Sequence, residues 1–231
     1  MHQNLIERDD LPQDLQLAAV SELGQDYLKA GLLDRAEEAF ERLRGTALDE
    51  EAKRNLLEIY QLGKDWERAI AIAGELPDVA SKKEIAEYYC ELAAADMIRS
   101  RRDAARVHLA TALEANRLCV RASLLQGDLH AQEGDHQAAI LSWQQIESQN
   151  PAYLALVAQR LLVAYRAIER RDEGLQLLRG YLENYHSLDL LDVVFQLVLE
   201  SDGPEVAYTL VRDELRRNPT LLGFDKLLEA R

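Results

Sequence analysis

A set of small and aromatic residues returns along this chain every 33 to 36 positions, and that period constrains the fold more than any other feature. Gly24 is followed by Tyr27, Gly31, Ala36, Phe40 and Leu43. Gly127, 103 residues further on, is followed by His130, Gly134, Ala139, Trp143, Ile146 and Pro151. Weaker copies keep the same phase. They are Leu56, Tyr60, Ala69, Ala73 and Leu76, then Leu92, Ala93, Ala105, Leu109 and Ala112. After Gly127 come Leu162, Tyr165, Gly174, Leu178 and Tyr181, and last Val194, Phe195, Val198, Ala207 and Val211, closed by Pro219. The small residues at 36, 69, 105, 139, 174 and 207 are separated by steps of 33, 36, 34, 35 and 33. Six units in register form a repeat array, in which one unit cannot bury its apolar face alone and must stack on its neighbours.

A period near 34 with glycine, aromatic, glycine, alanine and aromatic in these places is the tetratricopeptide pattern. It predicts an all-α fold, a right-handed superhelix (solenoid) of antiparallel helix pairs, each an A helix followed by a B helix. Only 11 glycines and 5 prolines in 231 residues suit long helices. Gly24, Ala93 and Gly127 on A helices are expected to face Ala36, Ala105 and Ala139 on B helices, where small side chains let the axes approach to about 8–10 Å. Tyr27, Phe40, Tyr60, Trp143 and Tyr165 would fill the space around that contact. The turns read Ala30-Gly31-Leu32, Leu62-Gly63-Lys64-Asp65 and Glu133-Gly134-Asp135, with glycine supplying the left-handed residue that ends helix A. Asp34, Asp65 and Asp135 stand where they can cap helix B. Pro77, Pro151 and Pro219 stop it. Gly174 departs from the alanine pattern at an expected cost of about 1 kcal/mol.

The repeats occupy 17–220. Residues 1–16 read as the remnant of a preceding repeat and a linker, because His2 to Ile6 has the character of a last helical turn without its partner. Residues 221–231 begin a terminal helix with Phe224, Leu227 and Leu228 on one face. A solenoid needs polar caps, so the expectation is a piece of a longer protein. Asp and Glu number 41 against 27 Lys and Arg, a net charge of −14. That field repels nucleic acid and anionic lipid. Apolar residues at 48% exclude a disordered acidic tail. Two cysteines, Cys90 and Cys119, are too few for a disulfide framework and fit a reducing compartment. There is no run of about eighteen apolar residues and no signal-peptide pattern before Asp10. The chain reads as a soluble, cytoplasm-type protein.

No glycine-rich phosphate loop, Gly-x-Ser-x-Gly or Cys-x-x-Cys is present, so the chain reads as non-catalytic. His130, Glu133, Asp135 and His136 admit a metal-cluster reading, set against a turn that breaks the spacing such ligands need. Cys90 and Cys119 read as buried and inert. Trp143 reads as core and Trp66 as half exposed. The arginine-rich run from Arg99 to Arg106 reads as a solvated turn, with phosphate or acidic-peptide binding as the alternative. Binding is therefore the default function. Phasing places Lys29, Arg54, Glu58, Glu87, Met97, Arg121, Leu124, Asp128, Gln132 and Arg166 on or near a concave groove lined mainly by A helices, a both-signed surface with apolar contacts that suits an extended peptide or a partner helix. The lysine–asparagine clamp of carboxylate-gripping co-chaperones is not matched, since its first-unit positions hold Ser21 and Gln25.

The run from Leu23 to Glu37 resembles an early unit of the lipopolysaccharide assembly protein B family of Gram-negative bacteria. So do Leu56 to Gln61 with Trp66, Ala69 and Ile70, the string Tyr89-Cys90-Glu91-Leu92-Ala93, and the tail Asn218-Pro219-Thr220 with Phe224, Lys226 and Leu227. The resemblance implies an adaptor that helps a membrane AAA protease degrade the deacetylase committing precursor to lipid A. It also implies an N-terminal inner-membrane anchor with the rest facing the cytoplasm, and a C-terminal rubredoxin-like domain with four cysteines holding iron or zinc. Neither the anchor nor the four-cysteine module lies in this sequence, so no cofactor or membrane attachment carries over to these residues. A general scaffold or chaperone, and the repeat region of a glycosyltransferase, are the alternatives. Self-association through exposed terminal helices is a further partner considered.

Overall fold

The computed structural model describes residues 12–76 and 81–229. The described residues hold thirteen α-helices and one short 3-10 segment joined by turns, with no strand among them. In chain order they are α1 (Gln13–Lys29), α2 (Leu33–Glu41), α3 (Asp49–Leu62), α4 (Trp66–Gly74), α5 (Lys82–Ile98), α6 (Arg102–Ala115), α7 (Val120–Gln132), α8 (His136–Gln149), α9 (Leu154–Ala167), α10 (Arg171–Tyr185), α11 (Leu188–Asp202), α12 (Pro204–Arg217) and α13 (Leu221–Glu229). Odd-numbered helices are the A type and even-numbered the B type up to α12. Helix packs on its successor in α1–α2, α3–α4, α7–α8, α9–α10 and α11–α12, and one pair packs on the next through α2–α3, α8–α9 and α9–α11.

Five A-to-B turns are copies of one object. Each holds one left-handed residue: Gly31 (φ 72°), Lys64 (56°), Ser100 (59°), Gly134 (82°) and Glu169 (59°). Its N–H donates three residues back, from Gly31 to Leu28, Lys64 to Gln61, Ser100 to Met97, Gly134 to Ala131 and Glu169 to Arg166. The next N–H reaches five back at 2.8–3.0 Å, from Leu32 to Tyr27, Asp65 to Tyr60, Arg101 to Asp96, Asp135 to His130 and Arg170 to Tyr165. This pair of bonds is the Schellman motif, which satisfies carbonyls that the end of a helix leaves open. In the second turn the left-handed residue is Lys64 and not Gly63, which stays helical at φ −76°. Asp65 and Asp135 cap their helices, accepting from the N–H groups of Arg68 at 3.2 Å and Ala138 at 2.9 Å. Asp34 does not; Leu32 occupies that N-cap, and Asp34 meets only the positive end of the helix from inside its first turn. Pro151 and Pro219 follow the ends of α8 and α12. Pro77 and the stretch from His2 to Ile6 lie outside the described residues.

The small residues work differently from the alanine-on-glycine contact expected. A Cβ added to Gly24 would stand 2.8 Å from Cζ of Phe40, and one on Gly127 would be tighter still against the Trp143 indole. The A-helix glycine therefore makes room for the B-helix aromatic, while Ala36, Ala105 and Ala139 are themselves fully buried. Gly174 reverses the arrangement. It lies on a B helix, and a Cβ there would meet Cβ of the A-helix Tyr165 at 2.9 Å. Its low helix propensity is thus offset by a close approach that alanine would obstruct.

Two compact units divide the chain between Ala95 and Asp96, within α5. A core in the first gathers Ala36, Phe40, Leu43, Leu56, Tyr60, Ala69 and Leu76. One in the second gathers Ala139, Trp143, Ile146, Leu161, Leu162, Tyr181, Val194, Phe195 and Val211. Polar groups about one repeat apart tie neighbouring pairs inside a unit. Ser21 donates to Glu51 at 2.7 Å, Gln25 to Asn55 at 2.8 Å, and Arg217 pairs with Glu183 at 2.6 Å.

Candidate functional site

The residues that phasing selected differ in exposure. In the first unit Lys29, Arg54, Glu58 and Glu87 are all exposed, and Arg54 pairs with Glu50 one turn earlier at 2.5 Å. In the second, Arg166 is exposed on the last turn of α9, and Met97, Arg121, Leu124 and Asp128 are half-buried. Leu124 packs against the core of its unit and its carbonyl accepts from the Trp143 Nε1–H at 3.2 Å, so it serves the interior as much as the surface.

Asp128 and Gln132 are brought together. Both line a pocket of about 400 Å³ formed by Ala131 of α7, His136 and Trp143 of α8, and Gln159, Arg160, Val163 and Ala164 of α9. Arg160 donates from Nε to Asp128 at 2.9 Å and from Nη1 to the Leu156 carbonyl at 2.6 Å, which fixes its guanidinium across the mouth. Burial pushes the Asp128 carboxyl above the ordinary aspartate range, against the opposing pull of Arg160. Arg160 was not among the residues selected from sequence. It lies 32 residues after Asp128, short of every repeat step of 33 to 36, so spacing alone does not single it out.

The other sequence candidates resolve into structural roles. His130 Nδ1 lies 4.0 Å from Glu133, and His136 heads the next helix. Among the described residues no group of three or more His, Cys, Asp or Glu side chains is placed to hold a metal. Cys90 on α5 and Cys119 just before α7 are both buried, and two thiols do not fit the four-cysteine site that the resemblance places in another domain. Trp66 stacks on Tyr88 with ring centroids 5.7 Å apart and 19° between planes, and Trp143 is core. In the arginine run, Arg101 pairs with buried Asp96 at 2.7 Å, while Arg106 reaches Asp103 at 2.8 Å and Glu133 at 2.7 Å. No described helix is long and apolar enough to cross a membrane.

The family profile described as tetratricopeptide repeat matches residues 21–78 and 91–153, a little over half of the sequence. The chain belongs to the tetratricopeptide repeat family, as its helix pairs and turns require. Within it, the chain is similar to lipopolysaccharide assembly protein B of Escherichia coli strain K12, at 31% identity over 233 residues that cover 99% of this chain and 60% of that protein. The protein of the same name from Haemophilus influenzae is 29% identical over 235 residues, covering 99% and 59%. The resemblance read from the sequence is thus borne out along its whole length. The chain spans about three fifths of the length of these curated relatives. Among solved structures, a crystal structure of MamA protein aligns with a TM-score of 0.47 and 23% identity over 72% of this chain and 90% of that one.

Proposed function

We propose that this chain is the protein-binding part of a non-catalytic adaptor in lipopolysaccharide assembly. It holds a membrane AAA protease, or the deacetylase that commits precursor to lipid A, so that the protease degrades the deacetylase on the cytoplasmic side of the inner membrane. The observation that carries this reading is the match to lipopolysaccharide assembly protein B, which covers 99% of the chain. The repeat fold gives it a physical means. Stacked A helices offer Lys29, Arg54, Glu58 and Glu87 in the first unit, and Met97, Arg121, Leu124, Asp128, Gln132 and Arg166 in the second, as contact residues of both signs. Such a surface steers and registers a partner by charge complementarity, and an adaptor acts by raising effective concentration rather than by bond chemistry. In this reading the chain works without a cofactor, and iron or zinc belongs to the family's C-terminal domain.

The test is direct binding. Purified deacetylase and purified protease are each passed over the immobilised chain, followed by the Arg54→Glu, Arg121→Glu double variant. Binding of at least one partner is expected, weakened about tenfold or more by the double charge reversal with an unchanged circular dichroism spectrum. If neither protein binds the parent chain, the proposal fails.

A further inference from the structure

The pocket between α7, α8 and α9 combines two features rarely needed by the interior of a repeat. Its floor is apolar, with Ala131 and the buried Ala164 beside the Trp143 ring. Its rim is polar: Asp128 and Arg160 neutralise one another at 2.9 Å, and the other polar groups are the amides of Gln132 and Gln159 and the imidazole of His136, whose Nδ1 is buried without a hydrogen-bond partner. Beyond the rim, Leu156 and Val163 are 51% and 55% exposed on the same face of α9, one on either side of Arg160. Exposed aliphatic residues flanking a paired guanidinium gain nothing from water.

We infer that this pocket takes one large apolar side chain of an extended, uncharged stretch of a partner polypeptide, with the rim bonding to its main chain. The inference rests on the protein-binding reading above and specifies what is bound. Each glutamine amide offers a donor and an acceptor, and the Asp128–Arg160 pair offers one of each, which is the complement of successive peptide groups. An extended chain has N–H and C=O groups free to answer them; a helix has already used its own. A charged side chain would have to break the Asp128–Arg160 pair and strand a half-buried carboxylate, a costly exchange. A cavity of about 400 Å³ holds one leucine- or phenylalanine-sized side chain and the main chain on either side of it.

The experiment pans a phage library of random twelve-residue peptides on the intact chain and resynthesises the enriched sequences. Binding is read from tryptophan fluorescence in a Trp66→Phe variant, which leaves Trp143 in the pocket floor as the single indole of the two in the sequence. The expected result is one large apolar residue at a fixed position, with its replacement by alanine weakening binding at least tenfold. Val163→Asp, at an exposed position, should weaken it as much while the melting temperature holds. Raising sodium chloride from about 50 to about 500 mM should change Kd less than threefold, since no net charge is paired. Peptides that share a charge, a salt effect above tenfold, or full binding by Val163→Asp would overturn the pocket and leave the protein-binding reading standing. A library that yields no binder to the parent chain would also overturn the pocket, while the protein-binding reading is decided by the deacetylase and the protease themselves.

Discussion

Gly174 and Gly180 sit on one helix and call for opposite substitutions. A Cβ on Gly174 would press within 2.9–3.0 Å of three Tyr165 atoms, whereas nothing lies within 4 Å of one on Gly180. Gly174→Ala gains about 1 kcal/mol of helix propensity and loses about 1–3 kcal/mol to overpacking. Gly180→Ala takes the gain alone. Urea midpoints should therefore rank Gly180→Ala above the parent and Gly174→Ala at or below it; a midpoint for Gly174→Ala equal to that of Gly180→Ala would show that Tyr165 can move aside. Spacing located the small residue at 174 and could not supply its reason. One dimension of sequence gives the phase of a position on its helix, while the ring that crosses the interface is set by which rotamer the neighbouring helix can accept. The same limit hid Arg160. Phasing took Arg166 from that helix, but Arg160, six residues earlier, is the one that reaches Asp128.

At the scale of the element, three of the five Schellman turns are closed by a residue other than glycine. A left-handed residue with a Cβ costs roughly 1–2 kcal/mol, part of which glycine returns as extra freedom in the unfolded chain. Lys64→Gly, Ser100→Gly and Glu169→Gly should each stabilise by about 0.5–1 kcal/mol, visible as a higher melting temperature, while Gly31→Ala should lower it. The turns were legible because the pattern repeats: the left-handed residue stands five positions before Ala36, Ala69, Ala105, Ala139 and Gly174. What misled was residue type, since Gly63 attracts the assignment that the geometry gives to Lys64. The end of α4 adds a pH dependence. A hydrogen bond from Lys53, with Arg44 as second partner, holds the Glu75 carboxyl below the usual glutamate range, and Lys53 does the same for Asp49. A lowered folded pKa means that the unfolded chain takes up protons first as pH falls. The stability these carboxylates add is present above the unfolded value, near 4.5 for Glu75, and is lost as pH drops through the folded one. Between about pH 5 and about pH 3 the denaturation midpoint of Glu75→Gln should therefore fall less steeply than that of the parent; parallel curves would mean that the ion cluster contributes nothing.

Over the whole molecule, the repeat period made the number and order of helix pairs legible but not the division between Ala95 and Asp96, since a pattern that treats every pair alike carries no mark of where contacts thin out. In a repeat array, stability is approximately a sum of unit and nearest-neighbour contributions, so damage should stay local. Leu56 is fully buried in the first unit's core and Leu162 nearly so in the second's. Leu56→Ala and Leu162→Ala should each cost about 2–5 kcal/mol where they act, through lost burial and the cavity left behind. Amide hydrogen exchange can tell local from global loss, because it reports the opening free energy segment by segment. With Leu56→Ala, protection should fall more than tenfold in α3 and α4 and stay within threefold of the parent in α9–α12. Leu162→Ala should give the mirror image. If either variant lowers protection equally along every helix, the chain opens as one cooperative body, and a partner gripping one unit would then stabilise the other as well. Local loss would instead leave each unit free to bind on its own, the condition under which an adaptor can hold two proteins at once.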